Sequence, residues 1–203
     1  MTQDVWAFEN EARSNGFQII AGIDEAGRGP LAGPVVSAAV ILPDPMPVSG
    51  ISDSKKVSPK KREALYDDIY CHAVAVGVGI VDPVEIDRIN ILQASLTAMS
   101  ISVQNLHPIP DFLLIDGQFS ISLDFPQKAI IKGDALSISI AAASIIAKVT
   151  RDRLMQEYAK EYPEFDFSKN KGYPTKAHKE AIRNFGYSPI HRLSFRGVKE
   201  FCQ

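Results

Sequence analysis

One stretch constrains this chain more than any other. The apolar run Ile19-Ile20-Ala21-Gly22-Ile23 ends on two adjacent carboxylates, Asp24 and Glu25. A loop carrying Gly27, Gly29 and Gly33 with Pro30 and Pro34 follows at once, and then a second apolar run, Val35–Leu42. Short apolar runs bounded by glycine and proline read as buried strands, so the pattern is strand, acidic pair, tight turn, strand. Side chains alternate across a strand, which predicts that Asp24 and Glu25 point to opposite faces. One of them then turns inward, where a lone carboxylate is costly unless it is neutralised, paired or bound to a metal. Such a pair can also simply end a strand at the surface, so the reading depends on what else the chain supplies.

Composition narrows the class. With 203 residues, 45% hydrophobic and 23% charged, one domain with its own core is expected. No apolar run approaches the roughly 20 residues of a membrane helix. The start, Met1-Thr2-Gln3-Asp4, lacks the basic and apolar regions of a signal peptide. Cys71 and Cys202 are far apart and without metal-ligand spacing, which predicts a reducing, cytoplasmic setting. The formal net charge is −2, but it is unevenly spread: from Lys169 onward the chain carries eight Lys/Arg against Glu180 and Glu200. A basic end on an acidic body suits a polyanion held over a carboxylate-rich centre, although a solvated helical tail would look the same.

Taken in order, Asp4–Ser14 reads as a short helix packed on Val5, Trp6 and Phe8. Ser58 and Pro59 open a helix to about Tyr70, leaving Lys55 and Lys56 in the loop before it. Ala73–Ile80, with Gly77 and Gly79, reads as a strand lying close against a neighbour. Asp82-Pro83-Val84-Glu85 starts a helix whose stripe Ile86, Ile89, Leu92, Leu96, Met99, Val103 and Leu106 reads as core packing. Phe112–Ile115 is a strand that again ends on an acid, Asp116. Ala129–Lys132 leads through Gly133 to Asp134, where a long helix is expected to begin, with Asp134 as its possible cap. At 100° per residue, Asp134, Ser137, Ala141, Ser144, Lys148 and Arg151 or Asp152 share one narrow face, a small-hydroxyl stripe suited to phosphates. Beyond Pro163 an aromatic-basic segment, Lys169–His178, runs into a helix capped by Thr175 and stopped near Gly186.

Asp24, Glu25, Asp116 and Asp134 thus come from strand ends and a helix start, where a sheet collects side chains at one edge. Two such charges 4 Å apart repel by about 4 kcal/mol at an effective dielectric near 20. Oxygen ligands without cysteine or paired histidine select hard cations, Mg²⁺ or Mn²⁺.

In order along the chain, Asp24-Glu25-Ala26-Gly27-Arg28-Gly29-Pro30-Leu31-Ala32-Gly33-Pro34, Asp53-Ser54-Lys55, Leu114-Ile115-Asp116-Gly117, Lys132-Gly133-Asp134, Ala142–Val149, Lys171-Gly172-Tyr173 and His191-Arg192-Leu193-Ser194-Phe195 resemble the motifs of bacterial ribonuclease HII, the type 2 ribonuclease H family. The resemblance runs from about Phe17 to Val198. It implies an α/β fold, a ribonuclease H-like mixed central sheet flanked by helices, with a helical C-terminal extension. Residues 1–162 would form the catalytic core, and 163–203 a basic extension packed as part of the same domain. It further implies that Asp24, Glu25, Asp116 and Asp134 are catalytic metal ligands for two divalent ions. The backbone of Gly27, Arg28 and Gly29 would meet a ribonucleotide 2′-hydroxyl, and Tyr173 would stack on the next sugar. Lys55, Ser137, Ser144 and Lys148 would hold phosphates. The implied activity is hydrolysis of RNA in RNA–DNA hybrids and cutting 5′ to single ribonucleotides in duplex DNA, by in-line attack of water. A monomer is expected, and the tail by which some relatives bind a sliding clamp is not visible before Gln203.

Other readings fit less well. The Gly27–Gly33 spacing nearly matches a dinucleotide fingerprint, but its third glycine is one residue late and Pro30 interrupts the helix that would cradle a pyrophosphate. A non-catalytic nucleic-acid binder needs no clustered acids. A junction or integrase-type nuclease has no use for a reader of the 2′-hydroxyl.

Overall fold

A computed structural model describes residues 4–51, 54 and 57–202. Lys55, expected to hold a phosphate, lies outside the described residues. Five strands, β1 (Ile20–Ala26), β2 (Val35–Ile41), β3 (Ala75–Val81), β4 (Phe112–Asp116) and β5 (Gln127–Ile130), form one sheet in the order β3-β2-β1-β4-β5. β1 pairs antiparallel with β2, and β2 with β3, while β4 runs parallel to both β1 and β5. The sheet is mixed, as the resemblance implies. The helices are α1 (Ala7–Ser14), α2 (Pro59–His72), α3 (Pro83–Gln104), α4 (Gly133–Leu136), α5 (Ile138–Glu161), α6 (Phe167–Asn170) and α7 (Lys176–Phe185).

The alternation of β2 explains its unbroken apolar run. Ala38 and Val40 face a cluster with Leu65 and Ile69 of α2 and Ile145 and Ile146 of α5. Ala39 and Ile41 face Met99 and Val103 of α3 on the other side. With helices on both faces every β2 residue is buried. The glycines of β3 fit the same logic. A Cβ at Gly77 or Gly79 would collide with the α3 backbone at Ser102 and Ala98. The C-terminal segments are not detached: Phe165, Phe167, Ile182, Ile190 and Val198 pack with Leu31, Ala32 and Met155 into one cluster. No helix among the described residues is long and apolar enough to cross a membrane.

Three local expectations are corrected. α1 does not bury Val5, which is exposed, but Glu9 and Ala12. Glu9 accepts the Ser139 N–H (3.0 Å) and the Ser137 hydroxyl (2.6 Å), so α1 places a carboxylate at the positive end of α5. The apolar stripe of α3 is not continuous, because Asn90 takes φ 67° and its Oδ1 caps the second half through Leu92 and Gln93. The long helix does not begin at Asp134. That residue sits in the four-residue α4, and Ser137, with extended backbone, caps α5 by accepting the Ile140 N–H. The break lets the chain turn at Ser137, so the stripe projected from Asp134 is not one continuous helical face.

The N-terminus of α5 lies directly on β1 at Gly22, where a Cβ would collide with the Ser139 and Ile140 backbone. β1 cannot yield there without dragging Asp24 and Glu25 near its end. Gly22→Ala is therefore expected to destabilise the protein by about 3 kcal/mol, in the range of core overpacking. Urea unfolding followed by circular dichroism measures it; a loss under 1 kcal/mol would show that this contact is soft.

Candidate active site

β1 and β4 run parallel with Ile23 opposite Ile115, so their C-terminal residues emerge together. Carboxylate oxygens of Asp24, Glu25 and Asp116 all lie within 4.8 Å of one another. The expectation that Asp24 and Glu25 diverge to opposite faces is thus overruled. Pairing with β4 stops at Ile23, which leaves that side of β1 without β4 beside Asp24 and Glu25. Asp24 is buried and its Oδ1 accepts the Glu25 N–H at 2.6 Å. Asp116 Oδ1 accepts the Gly133 N–H at 2.6 Å, which ties β4 to the turn that carries Asp134. Asp134 is buried too, and although outside the tightest set its charge acts on Asp24.

Burial, then repulsion from Glu25 and Asp116, pushes the Asp24 carboxyl well above the usual carboxylate range. Burial also raises Glu25, opposed by the Arg28 guanidinium, whose Nη1 donates to Oε1 at 3.2 Å. Oε2 of Glu25 is buried and receives no hydrogen bond from any described residue. Converging oxygens, mutual repulsion and an unserved buried oxygen fit a hard divalent cation.

One cavity of about 340 Å³ joins this cluster to part of the predicted site, without Asp134 or Ser137 in its lining. Asp24, Glu25 and Asp116 share its lining with Gly27, Arg28, Gly29, Ser144, Lys148 and Tyr173. A Cβ at Gly29 would stand 3.6 Å from the Tyr173 ring, so loop and ring form one wall. Two hydroxyls expected to hold phosphates are otherwise engaged. Ser137 is buried and gives its proton to Glu9. Ser144 gives its proton to the Ala141 carbonyl (2.8 Å) and accepts the Ser54 N–H (3.3 Å). Both hydroxyls are the donors in these bonds. Lys148 pairs with Asp152 at 2.7 Å, using one of the ammonium's three protons.

A second cavity, about 310 Å³, lies against the same acids on the α3 side. Glu25, Arg28 and Asp116 line it with Leu92, Leu96 and Met99, so part of the stripe that packs the core also borders the site. The larger recess, about 660 Å³, touches no acid of the cluster; it runs past Gly29 to Lys179, Arg183 and Arg196.

What holds the glycine loop was not anticipated. Arg192, fully buried, donates to the carbonyls of Gly27 (2.6 Å), Arg28 (3.2 Å), Pro30 (2.9 Å) and Gly33 (2.8 and 2.9 Å). Arg151 donates to those of Ala32, Pro34 and Lys171, each at 3.0 Å. Its side chain presses on Gly27, where φ is 104° and a Cβ would collide with Nε. Burial lowers the two guanidinium groups to about 9 and about 10. The signal for Arg151 was present: a cation in the apolar part of α5. For Arg192 it was only a place in a motif.

A family profile described as ribonuclease HII matches residues 21–198. Ribonuclease HII of Geobacter metallireducens is 57% identical over 98% of this chain and 93% of its own length. Among solved structures, ribonuclease H2 of Pyrococcus horikoshii superposes with a TM-score of 0.76 at 27% identity, covering 91% of this chain and 97% of that one. A structure of Archaeoglobus fulgidus ribonuclease HII in complex with PCNA gives 0.75 at 26%, over 88% and 96%. With its mixed sheet, its strand-end acids and more than half its residues shared with such a relative, this chain belongs to the ribonuclease HII family and is a metal-dependent ribonuclease.

Proposed function

We propose that this enzyme hydrolyses the RNA strand of RNA–DNA hybrids and cuts duplex DNA on the 5′ side of a single embedded ribonucleotide, leaving 3′-hydroxyl and 5′-phosphate ends. The observation that supports this best is the common cavity in which the acid cluster, the Gly27–Gly29 backbone and Tyr173 meet. A phosphodiester seated over the acids leaves its sugar against the loop, where glycines let the backbone approach a 2′-hydroxyl. That hydroxyl is what distinguishes RNA from DNA at one position. Tyr173, 43% exposed, offers its ring to the following sugar. Lys148 offers its remaining protons to phosphate oxygens, and the recess with Lys179, Arg183 and Arg196 extends the cationic surface along a duplex.

Asp24, Glu25, Asp116 and Asp134 would hold Mg²⁺ or Mn²⁺. Two such ions, when bound, supply an activated water and neutralise charge developing on the phosphate and on the leaving 3′ oxygen. The residues themselves fix the geometry: the parallel β1 and β4 bring their strand-end acids together, and the Gly133 N–H donates to Asp116 Oδ1 and holds that carboxylate in place. Free Cys71 and Cys202 suit a reducing cytoplasm, where we place the enzyme as a monomer.

Removing one acid tests the metal role. Without divalent ions, Asp116→Asn should melt at or above the wild-type temperature, because a like charge has gone. Mg²⁺ at a hundred times its Kd should stabilise wild type by about 2.7 kcal/mol, or roughly 5–10 °C, and the variant much less. Cleavage by the variant should fall to background. A metal-free variant that melts well below wild type would make Asp116 a structural residue instead.

Tyr173→Ala tests the reader. Loss of a stacking contact worth about 1–3 kcal/mol should lower kcat/KM most at a lone ribonucleotide and less on long RNA tracts. Wild type should cut the lone site on its 5′ side and leave all-DNA duplex intact. Failure to cut a single ribonucleotide, or equal cutting of DNA, would overturn the proposed substrate.

A further inference from the structure

Behind Tyr173 stand two buried histidines to which the reaction assigns nothing. His178 is 0% and His191 2% exposed, and their Nε2 atoms are 3.0 Å apart. The proton positions follow from the fixed partners at either end. The Ser188 N–H can only donate, and it points at His191 Nδ1 at 2.9 Å, so that nitrogen is an acceptor. His191 then carries its proton on Nε2 and donates to His178 Nε2. His178 in turn carries its proton on Nδ1 and donates to the Tyr173 carbonyl at 2.9 Å. The chain of donors runs one way, from Ser188 to Tyr173, and only with both rings neutral.

The surroundings enforce that neutrality. Phe167 stands edge-on to His178 (centroids 5.4 Å) and Phe165 to His191 (4.8 Å). Arg192, next to His191 in sequence, turns its guanidinium away to the loop carbonyls. His178 lies in the first turn of α7, where the helix dipole disfavours a cation. Burial lowers both imidazoles, and the neighbouring ring helps bring His191 to about 4. Because the folded values lie below the ordinary 6.5, this share of stability is full above pH 6.5 and is lost as pH falls toward 4.

The tether acts at a place where the chain needs one. Lys171 and Gly172 both have positive φ, 51° and 82°. Three successive carbonyls there are held by three other elements: Lys171 by Arg151 of α5, Gly172 by the Leu31 N–H of the glycine loop, and Tyr173 by His178 of α7. Tyr173 also accepts the nearby Thr175 N–H (2.8 Å), but that bond is local and sets no position relative to the core. We propose that His178 and His191 form a positioning pair that fixes Tyr173 against Gly29 and thereby sets how well the enzyme reads a lone ribonucleotide. The inference rests on the proposed role of Tyr173.

The test compares kcat/KM for a duplex with one ribonucleotide and for a long RNA–DNA hybrid. Wild type, His178→Phe, His178→Asn, Tyr173→Ala and the double variant Tyr173→Ala/His178→Phe are measured. His178→Phe keeps the aromatic packing and removes the donor. It should lower single-site cleavage about ten- to a hundredfold, and tract cleavage far less. His178→Asn, whose amide can stand where Nδ1–H stood, should restore most of the ratio. In the Tyr173→Ala background the histidine change should alter neither substrate. Equal losses on both substrates, no loss at all, or a further loss in that background would overturn the positioning role. If Tyr173→Ala itself treats the two substrates as wild type does, it is the reading of Tyr173 that fails, and the Tyr173→Ala arm alone shows this. Should His178→Phe not fold, His191→Asn breaks the same chain one step earlier and carries the comparison.

Discussion

The active-site loop is held from inside by cations. Arg192 and Arg151 fill the concave side of the Gly27–Pro34 loop and donate to its carbonyls, and none of the ion pairs between described residues includes either group. Carbonyl dipoles converging on a buried guanidinium offset much of its desolvation, and the planar fork satisfies several at once, which a lysine could not. The consequence reaches across the chain. Arg192 belongs to the C-terminal segment and Arg151 to α5, so the loop that follows the first two acids can take its shape only once both have docked. The Ile190 and Leu31 carbonyls reinforce the seam by accepting the Gly33 and Arg192 backbone N–H groups, each at 2.8 Å. The extension is therefore part of the site's construction as well as a source of positive charge.

Against this rigid loop the acid cluster is a deliberate local cost. Two carboxylates within 4.8 Å, one buried, repel by an amount on the order of 3–4 kcal/mol at an effective dielectric near 20. Arg28 serves one oxygen of Glu25, and backbone N–H groups serve one each of Asp24 and Asp116. The cluster survives because it stands on the most tightly packed part of the molecule. α5 presses onto β1 at Gly22, and Gly133 lies against Ile140 and Asp116. A stable scaffold carrying an unfavourable charge cluster is what a cation site requires, since the repulsion is relieved only when the ion arrives.

β1 to β4 were legible in the sequence, because apolar runs bounded by glycine and proline have few other uses. The short β5, Gln127–Ile130, was not. The sequence by itself also determined that acids end β1 and β4, and that Ser58, Asp82 and Thr175 cap helices, since each signal is local. The common destiny of Asp24, Glu25 and Asp116 was legible only as a tendency of strand ends; the parallel pairing of β1 with β4 turned it into a cluster. Local rules misled where a neighbour intervened. Alternation separated Asp24 from Glu25, but the sheet edge reunited them. Helical periodicity placed Ser137 and Ser144 on one stripe, but it held no sign that their hydroxyls bond Glu9 and the Ala141 carbonyl. Partners 130 or more residues apart, such as Glu9 with Ser139 or Arg192 with Gly27, leave no periodic trace, because long-range hydrogen bonds depend on where elements dock and not on the spacing within them. The tertiary structure alone decided which polar groups were free for chemistry and which were already spent holding the fold.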